Sequence, residues 1–541
     1  MLRSLDDPAA KHIRARPINT QTSSEESFKQ AQGWLGECLN SHDDCRLGAD
    51  DTHFKPTRVI EIVESDPSWH VRLFRPSTAI DYVALSYCWG GPQTMLTTKT
   101  EKEWENSLPW AELSQTIKDS ILVTSKLGYK YIWIDALCIV QDDMKDKMGE
   151  IAKMAQVYGS ATWTLAASKA YAATEGFLED RKVTEYPDHV FQLRVRCEDG
   201  QMGSAILFRP ITSNPLFSEP LNGRGWTLQE RYLSSRILEY KRLQLKWTCT
   251  TVFLNPEKVS KYLDGWFDDV EDTVALSDPD DDAPAIWRKM VYAYTLRSLT
   301  VNTDRILAIS GVAEVLGMSI EGKYWAGLWE SDLPLGLMWK STPADVEYSK
   351  TNSGTLRSRP EEYQGPSWSW VSINSIANYA QYSTSEVTFT LQILGCDFEL
   401  VDARAVYGSV KRARLRVRGR IRPGVLHFSY NVASVNKSWW TLDADLEEGR
   451  AYATGDALEP EFIASPPSGI QVALLEVITR IDMMNEKAGD VISEGLILRK
   501  IGPQRYSRLG TFSFYKDVDA KAQSDQHNWF KAYEEEDLFL E

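Results

Sequence analysis

Residues 129–143, with the sequence YKYIWIDALCIVQDD, constrain the fold of this chain more than any other segment. Residues 131–134 are aromatic and β-branched, a pattern typical of a short strand that is covered on both faces. We expect this strand at the centre of a sheet. Asp135 follows directly, where the strand ends. Because ligands of open parallel sheets bind at the carboxyl ends of the strands, Asp135 is either a site residue or a cap on the next segment.

The flanking patterns predict a layered α/β domain. Residues 82–87 form an apolar strand that stops before Gly90 and Gly91, and these glycines let another part of the backbone approach closely. A helix at 113–127 separates this strand from the one at 131–134, and a strand, a helix and a strand at this spacing imply a parallel sheet. Further strands are predicted at 161–168, 235–240 and 243–249, and further helices at 147–158 and 223–231.

The pattern changes twice beyond this domain. An acidic run at 264–284 is typical of a solvated insertion, and helices are predicted at 286–296, 304–316 and 326–339. From residue 386 apolar and polar residues alternate, which predicts antiparallel strands in a sandwich or barrel. The sequence thus predicts four segments: a flexible tail at 1–30, an α/β domain at 31–260, a helical region with an acidic insertion at 261–375, and a β-rich C-terminal domain at 376–541.

The charge of the chain excludes some classes of partner. The 541 residues carry a formal net charge of −16, whereas nucleic acids and anionic membranes are bound by cationic surfaces. No apolar run is long enough to span a bilayer, and the seven scattered cysteines do not form a disulfide pattern. The sequence therefore predicts a cytoplasmic protein with no nucleic-acid partner and no membrane span.

Cys38, His42 and Cys45 share one face of a predicted helix, and His53 follows in a loop. Two thiolates and two imidazoles can hold zinc in a tetrahedron. However, the usual close pair of cysteines is missing, which favours the alternative that these residues form the buried face of a helix. No metal is therefore predicted for the functional site.

Polar and aromatic side chains collect at the predicted strand ends and at the start of the 223–231 helix. Together they suit a ligand with a flat ring and anionic or hydroxyl groups, such as a nucleotide. Asp135 and Glu230 have a second interpretation as halves of internal ion pairs with Arg224 or Arg231, because an unpaired buried carboxylate is costly. The candidate site residues are Ser86, Tyr87, Trp89, Gly90, Asp135, Gln141, Asp142, Arg224, Trp226, Gln229 and Glu230.

These residues fall in three blocks, YVALSYCWG at 82–90, YIWIDALCIVQD at 131–142 and RGWTLQER at 224–231. In this order the blocks resemble the fungal heterokaryon-incompatibility (HET) domain. Residues 299–305, 326–330 and 366–370 resemble segments that commonly accompany it. The resemblance implies a role in programmed cell death after non-self recognition in filamentous fungi.

The HET domain is in turn similar to TIR-type domains, some of which hydrolyse NAD. This second resemblance implies a TIR-like parallel sheet with flanking helices, NAD as a substrate rather than a cofactor, and Glu230 as the catalytic residue. It also implies that Trp89 and Trp226 pack on the rings of NAD and that Arg224 meets phosphate. Two alternatives stay open: a non-enzymatic module that signals through self-assembly or a protein partner, and an enzyme that acts on another small molecule.

Overall fold

The computed structural model describes 7–11, 19–47, 54–64, 69–181, 190–208, 219–242, 244–251, 281–342, 359–380, 387–430, 438–443, 449–457, 469–481, 491–516 and 529–541. The chain divides into two compact units, Met1–Asp278 and Pro279–Glu541. The predicted boundary after residue 260 and most of the predicted acidic insertion lie outside the described residues. The predicted boundary after residue 375 lies inside the second unit.

The first unit is an α/β structure. Its helices are α1 Glu25–Ser41, α2 Asp43–Leu47, α3 Glu101–Trp104, α4 Gln115–Lys126, α5 Asp135–Cys138, α6 Met144–Ile151, α7 Met154–Gly159 and α8 Gly225–Leu233. Its strands are β1 Val59–Glu64, β2 His70–Phe74, β3 Val83–Ser86, β4 Tyr131–Trp133, β5 Trp163–Ala166, β6 Val190–Arg196, β7 Met202–Phe208, β8 Arg236–Tyr240 and β9 Leu245–Cys249. Helix α1 begins inside the segment predicted to be a tail, since Ser24 caps it and Phe28 is buried.

Seven strands form one sheet in the order β2-β1-β4-β3-β5-β8-β9. The four inner strands β4, β3, β5 and β8 are parallel, and β1, β2 and β9 are added antiparallel at the two edges. The predicted parallel sheet with flanking helices is therefore confirmed. The expectation that the 131–134 strand is central is wrong, because β3 is the middle strand and all four of its residues are buried.

The strand order indicates where a ligand crevice is expected in a sheet of this kind. Numbered along the chain, the four parallel strands follow the order 2-1-3-4, so the direction of winding reverses between β3 and β5. In doubly wound α/β folds, ligands bind outside the carboxyl ends of the strands at such a reversal. Ser86, the last residue of β3, is placed there. Strands β6 and β7 form a separate hairpin.

The second unit begins with helices α9 Ala283–Thr295 and α10 Ser310–Gly317 and two small two-stranded sheets, the first of which is a hairpin. Their strands are β10 Tyr324–Trp325 with β11 Leu328–Trp329, and β12 Trp339–Thr342 with β13 Ile376–Tyr379. The helix predicted at 326–339 is wrong, because Ala326 and Gly327 have φ of 51° and 90° and form the turn of the first hairpin. The indoles of Trp287 and Trp370 both donate to the carbonyl of Gly327 at 2.9 Å.

The rest of the second unit is β-rich, as predicted. Strand β16 Val410–Tyr430 pairs with both β19 Ile470–Ile481 and β22 Glu535–Leu540. Strands β20 Val491–Gly502 and β21 Arg505–Lys516 complete a closed ring with them. The remaining strands are β14 Val387–Phe389, β15 Gln392–Leu400, β17 Ser438–Asp443 and β18 Gly449–Gly455.

Strand β16 carries a row of arginine side chains, and most of their charge is balanced by acidic side chains within this ring of strands. Arg418 pairs with Asp537 at 2.6 Å, and Arg414 pairs with Glu541 at 2.7 Å. The acidic residues of β22 and Glu541 thus lie along the arginine-rich strand β16.

Candidate functional site

Helix α8 places Glu230 at the carboxyl end of the central strand. A single turn of 3-10 helix, Pro220–Gly223, precedes α8, and the Thr227 hydroxyl donates back to the Leu221 carbonyl at 2.7 Å. The Glu230 side chain is directed inward and is only 7% exposed. Its Oε2 accepts a hydrogen bond of 2.5 Å from the hydroxyl of Ser86. Two residues that are far apart in sequence are therefore joined at the reversal point of the sheet.

The environment of Glu230 raises its pKa to about 7. Burial is the main cause, and the nearby charge of Asp135 adds to it. The hydrogen bond from Ser86 and the charge of Arg224 lower the pKa but do not cancel the effect of burial. A carboxyl group with a pKa near neutral pH can both give up and accept a proton, as general acid–base chemistry requires.

Asp135 is a second acidic group in this cluster. It is the first residue of α5, and its Oδ1 accepts from the backbone N–H of Ala136 at 2.6 Å while its Oδ2 accepts from the indole of Trp89 at 2.8 Å. Burial raises its pKa. The side-chain amide of Gln141 donates to the Asp135 carbonyl at 3.1 Å. Asp135 is therefore held by two hydrogen bonds at the start of α5, and its charge raises the pKa of Glu230.

Arg224 is the cation of the cluster. Its Nη1 donates to the carbonyl of Tyr87 at 2.9 Å, and its charge lowers the pKa values of both Asp135 and Glu230. Arg231, the other candidate partner, instead pairs with Glu239 at 3.2 Å.

Two tyrosines and a glutamine surround the acidic groups. The Tyr158 hydroxyl donates to the Leu85 carbonyl at 3.0 Å and is a hydrogen-bonding neighbour of Glu230. Tyr87 forms a hydrogen bond with Asp135, and its hydroxyl accepts from Gln93 at 2.9 Å. Sequence reasoning missed Tyr158 and Gln93 as neighbours of the site. Tyr158 has the pattern of an ordinary core residue on a helix, and no local signal marks Gln93.

The remaining candidate site residues are Asp142, Gln229, Trp226 and Gly90. Asp142 is exposed and accepts from both the backbone N–H and the hydroxyl of Thr98 at 2.8 Å, and these bonds lower its pKa. Gln229 is 1% exposed, and Trp226 is half-buried against the core of the first unit. Gly90 has a φ of 64°, and a Cβ there would lie 2.3 Å from the Cβ of Ala172. The segment that approaches the Gly90 backbone closely, as its glycine predicts, is therefore the one at Ala172 of the same chain.

Among the described residues, one group of side chains has the arrangement of metal ligands. It consists of Cys38, His42, Cys45 and Cys249. None of these belongs to the acidic cluster, which consists of Glu230 and Asp135 with their neighbours Ser86, Tyr87, Trp89, Tyr158 and Arg224.

Residues 82–230 match the family model described as heterokaryon incompatibility protein (HET). This segment is a HET domain. The predicted HET domain is confirmed for this segment, and the match supports a heterokaryon-incompatibility-type role. It begins at Tyr82, next to the central strand, and ends at Glu230, so it contains the whole acidic cluster. No curated protein and no solved structure matches the chain, and no described helix is long and apolar enough to cross a membrane.

The burial of Glu230 leads to a prediction about how the stability of the protein depends on pH. The pKa of Glu230 rises from 4.5 to about 7 on folding, so its contribution to stability is present below pH 4.5 and is lost as the pH rises through 7. Relative to Glu230→Gln, the wild type should lose about 2–3 kcal/mol between pH 5 and pH 8. Thermal unfolding of both proteins across this range checks the prediction, and parallel curves would contradict it.

Proposed function

We propose that this chain is a cell-death effector whose HET domain hydrolyses the nicotinamide–ribose bond of NAD. The observation that carries the proposal is Glu230, a buried carboxyl group with a pKa of about 7 that is hydrogen-bonded to Ser86 at the reversal point of the sheet. Perturbed carboxyl groups in such positions are typical of catalytic sites.

The chemistry requires little more than a positioned carboxylate. Water attacks the anomeric carbon of the ribose as the bond to nicotinamide breaks, and NAD⁺ and water give nicotinamide, ADP-ribose and one proton. The transition state resembles an oxocarbenium ion, which a carboxylate stabilises. In its ionised form Glu230 accepts hydrogen bonds from the ribose hydroxyls and can take the proton released from the attacking water.

The surrounding side chains match the other parts of NAD. The half-buried indoles of Trp89 and Trp226 offer ring faces for stacking. The guanidinium of Arg224, which also donates to the Tyr87 carbonyl, supplies a positive charge for phosphate. The strand order 2-1-3-4 also begins as in the doubly wound folds that bind nucleotides at the reversal point. These features support a TIR-like reaction, and the proposal places it in the cytoplasm of a filamentous fungus.

The test is direct. The purified full chain is incubated with NAD, and nicotinamide and ADP-ribose are measured by liquid chromatography; we expect them in equal amounts and at many turnovers per chain. NADH is a matched control, since its uncharged dihydronicotinamide is a poor leaving group and should be spared. NAD that is stable in the presence of the protein would contradict the proposal.

One observation favours a second function, a non-enzymatic interaction module. With 7% exposure and a short hydrogen bond to Ser86, Glu230 also has the features of a structural carboxyl group. In that case NAD is not consumed, and toxicity in a fungal host survives Glu230→Gln. If NAD is stable but Glu230→Gln still abolishes toxicity, the site acts on another small molecule.

A further inference from the structure

Four buried ligand-type side chains converge at one edge of the first unit. Their Sγ and imidazole nitrogen atoms all lie within 4.8 Å of one another. Cys38 is in α1, His42 follows the end of α1, Cys45 is in α2, and Cys249 is the last residue of β9. No two of these thiols are joined by a disulfide bond.

The distances match a tetrahedral site. His42 Nδ1 lies 3.4 Å from Cys249 Sγ and 4.0 Å from Cys45 Sγ. With Zn–S bonds of about 2.3 Å and Zn–N bonds of about 2.0 Å, neighbouring ligand atoms of a tetrahedron lie about 3.5–3.8 Å apart. The four side chains thus already surround a space of the right size for one ion.

The way the ligands come together differs from the sequence prediction. Helix α1 ends at Ser41, and His42 has extended backbone angles before α2 begins at Asp43. Cys38, His42 and Cys45 therefore do not share one helix face, because the chain turns between the two helices and directs all three side chains to a common point. His53 lies outside the described residues. The fourth ligand is Cys249, which follows the HET domain in the sequence.

We propose that Cys38, His42, Cys45 and Cys249 bind one Zn²⁺ ion in a structural Cys₃His site. Binding converts three thiols to thiolates and releases three protons, while neutral His42 coordinates through Nδ1. All four ligand positions are filled by protein and all four residues are buried. A closed, four-ligand site of this kind is typical of structural zinc rather than catalytic zinc.

Neighbouring groups suit the charge of such a centre. Three thiolates and Zn²⁺ leave one net negative charge. The backbone N–H of Thr251 points at Cys45 Sγ with a distance of 3.5 Å, and the buried guanidinium of Arg236 donates to the Cys45 carbonyl at 2.8 Å. Outer hydrogen bonds and a nearby cation are what orient and stabilise thiolate ligands.

The ion would join the segments that precede and follow the HET domain in the sequence. Three ligands precede residue 82 and the fourth follows residue 230, so the site joins α1 and α2 to β9, the edge strand of the sheet. Covering and fixing an edge strand prevents it from pairing with other chains. This role is independent of the chemistry proposed for Glu230.

The experiment measures metal in the full chain. After growth with added zinc, we expect one zinc per chain by plasma mass spectrometry, and X-ray absorption should show three sulfur ligands and one nitrogen ligand. Cys249→Ser and Cys45→Ser should lower the zinc content at least ten-fold. Cys396→Ser, which changes a half-buried cysteine of the second unit, is the matched control and should keep the metal.

A measurement on the wild type guards against variants that fail to fold. The metal is removed with a chelator and Co²⁺ is added; tetrahedral thiolate coordination gives intense visible and charge-transfer absorption. A zinc-free wild type that takes up no Co²⁺ would overturn the proposal. A disulfide among Cys38, Cys45 and Cys249 in the freshly isolated protein, or equal loss of zinc in Cys396→Ser, would overturn it as well.

Discussion

Glu230→Gln is expected to lower the kcat of NAD hydrolysis at least about 100-fold, because the amide neither accepts the proton from water nor carries the negative charge that stabilises the transition state. The substitution keeps the size of the side chain, and the Ser86 hydroxyl can still donate to the amide oxygen. The fold should therefore be retained, and KM should change far less than kcat. Initial rates of nicotinamide release at saturating NAD measure this.

Glu219→Gln is the matched control. Glu219 is also a buried glutamate, 5% exposed, and burial also raises its pKa to about 7. It accepts from the backbone N–H of Arg242 and has no place in the acidic cluster. We expect this variant to turn over NAD as the wild type does. Unchanged turnover in Glu230→Gln would remove Glu230 from the mechanism, whereas equal losses in both variants would indicate a general effect of disturbing a buried acid.

Asp456→Asn is expected to destabilise the second unit by about 3–5 kcal/mol, because it leaves the charge of Arg508 buried without its partner. Both side chains are fully buried. The guanidinium donates to Asp456 at 2.7 and 3.0 Å, donates to the carbonyls of Leu337 and Trp339, and lies 3.5 Å from the centre of the Trp339 ring. A neutral amide cannot replace a carboxylate in this fully desolvated arrangement.

Urea unfolding of the full chain, followed through the transition of the second unit, measures this effect. Asp537→Asn is the control, since Asp537 pairs with Arg418 on the surface and exposed pairs contribute little; its transition should stay near that of the wild type. The double variant Asp456→Leu with Arg508→Met should be more stable than Asp456→Asn, because it removes both charges. Equal midpoints for Asp456→Asn and Asp537→Asn would contradict the prediction.

Local patterns were sufficient to predict much of the first unit. Strand β3 is buried at all four positions and apolar up to Ser86, and β5 is buried at all four positions as well, because both faces of these strands are covered. The helix predicted at 326–339 failed for an equally local reason. Its apolar residues have helical spacing, but Ala326 and Gly327 adopt positive φ. The Gly327 carbonyl accepts hydrogen bonds from the indoles of Trp287 and Trp370 rather than from a helical backbone N–H.

The sequence alone determined the HET domain at residues 82–230, the α/β and β-rich classes, and the residue types that stand at the strand ends, because these follow from short motifs and from hydrophobic periodicity. Only the tertiary structure decided that β3 rather than β4 is central, that Glu230 meets Ser86, and that Arg231 turns to Glu239. It also brought Cys249 to the N-terminal helices. Strand order, burial and the pKa of Glu230 depend on contacts between distant segments, and no local pattern encodes those contacts.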